Sequence, residues 1–152
     1  MLMVIDIGNT NITVGIYKGD KLIGNYRLTT KMKRTSDEYG FMIMNFLTSS
    51  KVSYDQIKDV IISSVVPKIM HSFLNGIRKY MHKEPIVVGP GIKTGISVKA
   101  ENPKAVGSDR IVDAAGAFYE YGGPCLVVDF GTMTTFDYVD EKGNFEFGVI
   151  TL

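Results

Sequence analysis

The stretch Leu126-Val127-Val128-Asp129-Phe130-Gly131-Thr132 repeats the order of residue types in Met3-Val4-Ile5-Asp6-Ile7-Gly8-Asn9, with the two Asp residues 123 positions apart. Each copy is an apolar run, an Asp, an apolar residue, a Gly and a small polar residue. Short apolar runs with β-branched members predict strands. In both copies the chain continues into a second strand, Asn11 to Tyr17 and Thr134 to Val139, and then a turn. Ile12, Val14 and Ile16 alternate with Asn11, Thr13 and Gly15, the period of a half-buried strand. Gly19-Asp20 suits a two-residue hairpin turn into Leu22 to Leu28. The first 28 residues therefore read as an antiparallel meander of three strands, and the repeat predicts another. Either Asp-x-Gly alone reads first as a simple turn. Two copies in matching strand contexts point to a shared role.

Between the copies, strand and helix signals alternate, which gives an α/β class. Thr35 and Glu38 offer a capping box before Tyr39, Met42, Ile43, Phe46 and Leu47, predicting a helix over 36–49. Val60 to Val66 reads as a buried strand and Pro67 as the start of a helix carrying Met70, Phe73, Leu74 and Ile77. Ile86 to Val88 reads as a strand, Gly89 to Gly95 as a loop, and the segment opened by Asn102-Pro103 as irregular. The spacing of Ile111, Ala114, Ala115 and Phe118 predicts a helix from Ser108 to about Tyr121. Strands are then expected at about 125–129, 133–139 and 144–151.

A length of 152 residues by itself suggests one domain, at roughly 100–200 residues each. The repeat replaces that reading with a first domain at 1–112 and the start of a second at 113–152. With 45% hydrophobic and 22% charged residues the composition is globular, and a net charge of +1 offers no basic field for nucleic acid or a membrane surface. No apolar run approaches the roughly 18 residues of a membrane span, and Met1 to Ile5 lacks a signal peptide's basic flank, so a cytoplasmic location is expected. Cys125 is the single cysteine, and neither His71 nor His82 has metal-ligand spacing, so zinc and thiol chemistry are not expected.

The repeated device suits phosphate chemistry. An Asp held at a strand end can face magnesium or its water shell, and a Gly lets the turn approach a phosphate and offer N–H groups. Asn9, Thr10 and Asn11 add short hydrogen-bonding side chains. Two such hairpins would grip a polyphosphate from opposite sides. No Gly-x4-Gly-Lys-Ser/Thr loop or dinucleotide fingerprint competes with them. A second polar cluster is Gly107-Ser108-Asp109-Arg110 at a helix start. In its plainest reading Ser108 or Asp109 is an N-cap and Arg110 is solvated. In the functional one Asp109 orients a substrate hydroxyl and accepts its proton, while Arg110 binds an anionic or polar group. A loose phosphoryl-transfer transition state asks little of such a base.

Asp6-Ile-Gly-Asn-Thr-Asn11, Ser63-Ser-Val-Val-Pro67, Gly89-Pro-Gly-Ile-Lys-Thr-Gly95, Asn102-Pro-Lys-Ala-Val-Gly-Ser-Asp-Arg110 and Asp129-Phe-Gly-Thr-Met-Thr-Thr135 together resemble the type III pantothenate kinases, in the family's order and across nearly the whole chain. The resemblance implies an actin-like ATPase (ribonuclease-H-like) fold with a mixed sheet built on a three-stranded antiparallel meander and an incomplete second copy. It implies phosphorylation of pantothenate by ATP, the first step of coenzyme A synthesis. By that likeness Asp6, Gly8, Asn9 and Thr10 form the first phosphate loop, with Asp6 near Mg2+. Gly131, Thr132 and Thr134 form the second, and Asp129 serves a monovalent cation, K+ or NH4+. Asp109 is then the general base, and Gly107, Ser108 and Arg110 line the substrate site. The implied partners are ATP, pantothenate and a second copy in a homodimer, with no nucleic acid and no membrane.

The chain departs from the family pattern at three places. Ala100 stands where a pantothenate-contacting Tyr is common, and Ser108 stands where Ala is usual. Phe147 replaces the first Gly of a Gly-Gly-x-Ile-x-Pro-Gly segment, and Leu152 falls where its Pro would stand. The expectation is an N-terminal portion of such a kinase, with little or no activity alone and a tendency to self-associate through the strands after 125. The alternatives are a non-catalytic actin-like binding or regulatory protein, and a different small-molecule kinase of the same superfamily.

Overall fold

The strand signals of the first 28 residues become β1 (Leu2–Ile7), β2 (Asn11–Lys18) and β3 (Lys21–Thr29) in the computed structural model, which describes residues 1–89 and 91–152. Pro90, read as part of the Gly89–Gly95 loop, lies outside the described residues. The chain divides into two compact units, Met1–Val87 and Val88–Leu152.

In the first unit the three strands form the expected antiparallel meander. They are followed by α1 (Ser36–Ser49), β4 (Asp59–Ser64), α2 (Pro67–Met81) and β5 (Ile86–Val87). The sheet order is β3-β2-β1-β4-β5, with β4 parallel to β1 and β5 parallel to β4. The run Leu2 to Ile5 suggests a strand covered on both faces, but β1 alternates. Met3, Ile5 and Ile7 are buried, while Leu2 and Asp6 are exposed. The helices supply apolar partners to the first face only. On the other, Val4 lies across Gly15, where an added Cβ would come within 2.9 Å of its Cγ2.

The capping box opens α1 as its sequence requires. Glu38 N–H donates to Thr35 Oγ1 at 3.2 Å, and Thr35 N–H donates to Glu38 Oε2 at 2.7 Å. Buried Tyr39, Ile43 and Leu47 on α1 meet Phe73, Ile77 and Met81 on α2 in one core with Ile62 and Ile16. The helices cross closely because glycines lie at the crossing. A Cβ at Gly76 would stand 2.6 Å from the Ser36 carbonyl, and one at Gly40 would strike the Tyr80 ring. At the rim, Lys79 Nζ (2.7 Å) and Tyr80 Oη (2.8 Å) donate to Asp37 Oδ1, and these bonds, the Lys79 one first, hold its carboxyl below its ordinary value.

The second unit contains β6 (Ser97–Val98), α3 (Ser108–Tyr121), β7 (Cys125–Phe130), β8 (Thr134–Val139) and β9 (Asn144–Thr151). Its sheet order is β6-β9-β8-β7, again an antiparallel meander with one parallel neighbour. The compact units meet at Val87/Val88, whereas the sequence reading divides the chain after 112. The physical reason is that β6 pairs with β9, Ser97 opposite Asn144 and Val98 opposite Phe145, and that Val98, Val106 and Phe118 pack on the Ala114, Val139 and Phe145 core. At two residues β6 is too short to show a period, and it falls between the loop read at 89–95 and the irregular segment opened by Asn102-Pro103.

The repeat extends to detail. Both meanders carry a register shift in the pairing of their second and third strands, between Ile16 and Tyr17 and between Tyr138 and Val139. Those positions are 122 apart rather than 123, because the second Asp-x-Gly loop closes one residue sooner: Ile7 pairs with Ile12, and Phe130 with Thr134. Leu126, Val128 and Phe130 correspond to buried Met3, Ile5 and Ile7. They are, however, 59%, 37% and 81% exposed, on the sheet face that two helices cover in the first unit.

Candidate functional site

The residues expected to carry the chemistry fall in three groups, one in the first unit and two in the second. In the first, β1 ends at Asp6-Ile7 and the chain turns through Gly8 to Thr10 into β2. Asp6, Asn9 and Thr10 are all exposed. Gly8 N–H donates to the Asn11 carbonyl at 3.0 Å. A Cβ there would sit 3.3 Å from that same oxygen, a tight approach that the glycine avoids. The Gly8 amide is thus used within the turn, and the glycine contributes close approach rather than an N–H for a ligand.

The sequence reading missed Thr30, which is 5% exposed and ties the loop down from behind. Its hydroxyl donates to the Gly8 carbonyl at 2.7 Å and its backbone N–H to the Thr10 carbonyl at 2.9 Å. Nothing in the local pattern distinguishes Thr30 from Thr29, because the bond spans 22 positions. Thr30→Val keeps the shape and leaves the Gly8 carbonyl without its partner. Stability is expected to fall by about 1–2 kcal/mol. Urea unfolding measures that loss, and amide hydrogen exchange is expected to quicken at Gly8 and Thr30; unchanged exchange and midpoint would remove Thr30 from the loop's support.

The second loop follows the same plan. Asp129 stands near the end of β7 opposite Thr135, and Gly131 N–H donates to the Met133 carbonyl at 3.2 Å. A Cβ on Gly131 would lie 3.4 Å from both that carbonyl and Asp129 Oδ2. Thr132 is exposed at the tip, and Thr134 begins β8.

The third group opens α3. The residue at the cap is Gly107, with no side-chain cap bond, rather than Ser108 or Asp109. Ser108 and Asp109 are instead the first two helical residues. Asp109 Oδ1 accepts from the Arg110 N–H at 2.8 Å, so the carboxylate satisfies one of the amides that a helix start leaves unpaired. Arg110 is not solvated. Its Nε donates to Asp137 Oδ1 and Oδ2 at 3.0 and 3.2 Å, its Nη2 also donates to Oδ1, and the two side chains are 12% and 2% exposed. The guanidinium lies over the Phe145 ring, 5.7 Å from its centre. The signal for Asp137 was present in the sequence: an Asp on the same strand parity as core Val139 needs a charged partner.

Among the described residues no group of three or more His, Cys, Asp or Glu is gathered as a metal site, and no helix is long and apolar enough to cross a membrane.

Two mixed sheets, each with an Asp-x-Gly turn between the first strands of an antiparallel meander, place the chain in the actin-like class of α/β folds. Solved structures agree on the fold. The chain is similar to a Sinorhizobium meliloti protein assigned as a 2-dehydro-3-deoxygalactonokinase, with a TM-score of 0.56 and 12% identity over 99% of this chain and 53% of that one. It is also similar to a Porphyromonas gingivalis protein assigned as an N-acetylglucosamine kinase, with a TM-score of 0.51 and 15% identity over 93% and 45%. Residues 2–151 match the model of the type III pantothenate kinases, and the chain belongs to that family. Curated relatives bearing that name include proteins of Bifidobacterium longum subsp. infantis, 55% identical over 151 residues, and Agathobacter rectalis, 54% over 149. A third, from Listeria innocua, is 51% identical over 150 residues. The alignments take in 98–99% of this chain but 57–59% of those relatives' lengths.

Proposed function

We propose that this chain belongs to a protein that phosphorylates pantothenate with ATP to give 4'-phosphopantothenate, the first step of coenzyme A synthesis. The observation that carries the reading is the joint presence of Asp6, Asp109 and Asp129 in a member of this family, each near the end of a strand or at the start of a helix.

In this reading the loop of Asp6, Gly8, Asn9 and Thr10 and the loop of Gly131, Thr132 and Thr134 hold phosphates of ATP. Asp6 with its amide and hydroxyl neighbours is a hard-oxygen donor set. That set suits Mg2+, which keeps several waters and takes one or two carboxylates together with substrate phosphates. Asp129 would hold K+ or NH4+. The bound cations would offset charge on the phosphates. Gly107, Ser108 and Arg110 line the pantothenate site, with Arg110 toward its carboxylate. Asp109 holds the primary hydroxyl. As the bond from the γ-phosphorus to the ADP oxygen breaks and the bond to the hydroxyl oxygen forms, the proton passes to Asp109. The working form is a homodimer.

The test is acceptor choice by the full-length protein. ADP and 4'-phosphopantothenate are expected in equal amounts. ATP turnover with sugars but not pantothenate, or no turnover with any acceptor, would overturn the reading.

A further inference from the structure

Arg110 and Asp137 are an ion pair of a costly kind, since taking both charges out of water exceeds what hydrophobic packing of the same volume would cost. The fold makes room for it. Gly148 on β9 lies beneath the pair, and a Cβ there would collide with both Arg110 Nη2 and Asp137 Oδ1. Phe145, two residues before the strand pairing reaches Tyr138, supplies an aromatic face to the guanidinium. Asp137 takes the Nε and Nη2 side of the planar fork, so the Nη1 donors are set on the other side in a fixed orientation. The same residue's backbone N–H holds Asp109 Oδ1. A guanidinium locked by a buried carboxylate is thereby tied through one residue to the proposed base.

We infer that Asp137 is a positioning residue: in the space left by Gly148 it locks Arg110, so that the free edge of the guanidinium receives the carboxylate of the acceptor beside Asp109. This rests on the assignment of Arg110 to the pantothenate site. Asp137 itself touches no substrate. A partner that only stabilised the fold would be indifferent to the charge of the acceptor, whereas one that aims Arg110 makes discrimination for a carboxylate depend on it.

The experiment compares pantothenate with pantothenyl alcohol, in which CH2OH replaces the carboxylate, as substrate or competitive inhibitor of the full-length enzyme. Asp137→Asn is expected to raise KM for pantothenate about tenfold, with kcat and KM for ATP changed less than about threefold and with little change in KM or Ki for the alcohol. Gly148→Ala, which displaces the pair without removing it, is expected to give the same pattern and serves if Asp137→Asn does not fold. Arg110→Ala separates the two claims. If it leaves KM for pantothenate unchanged, the assignment of Arg110 to the acceptor fails. If it raises that KM while Asp137→Asn and Gly148→Ala leave it unchanged, or move the alcohol equally, the assignment stands and the positioning role of Asp137 is overturned.

Discussion

Asp109→Asn in the full-length enzyme is expected to lower kcat for pantothenate phosphorylation by about 10²–10⁴-fold. The amide can still orient a hydroxyl but cannot take up its proton. The structure indicates why the loss should fall on turnover rather than folding. Asp109 Oδ1 accepts the Arg110 N–H at the start of α3, and the carbonyl oxygen of Asn can accept the same bond. What the substitution removes from the helix is a favourable charge at its N-terminus, worth about 0.3–1 kcal/mol. The expected signature is therefore a large fall in kcat, a KM for ATP within about threefold of the parent, and an unfolding midpoint close to it. Steady-state kinetics with urea unfolding on the same preparation checks all three. Turnover retained within about tenfold would remove Asp109 as the base and leave it as a helix-start residue.

The fold was legible wherever one element carries its own signal. Thr35 and Glu38 mark the start of α1 because both halves of a capping box are local, and Pro67 marks α2 because its missing N–H costs nothing at a helix start. The two Asp-x-Gly turns were visible because the order of residue types recurs. Long-range pairing was not legible. Thr30 reaches Gly8 across 22 positions, Arg110 reaches Asp137 across 27, and β6 finds β9 across a helix and two strands. Such contacts leave at most a one-sided trace in the sequence, a polar residue at a buried position. Asp137 shows that trace and Thr30 does not. The use of the Gly8 and Gly131 N–H groups within their own turns was not legible either, since a glycine that frees its N–H and one that spends it within the turn are the same letter.

The open face of the second sheet follows from the same repeat. Binary patterning gives Leu126, Val128 and Phe130 the character of Met3, Ile5 and Ile7, yet α1 and α2 cover the first set and nothing among the described residues covers the second to that extent. Phe147 also stacks on Tyr138 on this side, at 5.4 Å between rings, and stays 57% exposed. The two units thus offer an internal comparison: similar strands, one set with an apolar helix pair packed on it and one without.

Phe73→Ala turns that comparison into a measurement. Phe73 is fully buried on α2, with its ring 4.9 Å from that of Tyr39 at 59°, and it sits in the core that joins α1 and α2 to β1 and β4. The crossing cannot collapse around the hole, because Gly76 and Gly40 already bring the helices as close as their backbones and the Tyr80 ring permit. The substitution is expected to lower the stability of the first unit by about 3–5 kcal/mol. That is a large share of the roughly 5–15 kcal/mol available to a domain. Phe147→Ala removes the same ring from the open face and is expected to cost less than about 1 kcal/mol. Urea unfolding of the two variants, followed by probes in each unit, distinguishes them. A loss at Phe73 below about 1 kcal/mol would mean that the helix pair does not anchor β1, and so does not fix the strand end that carries Asp6.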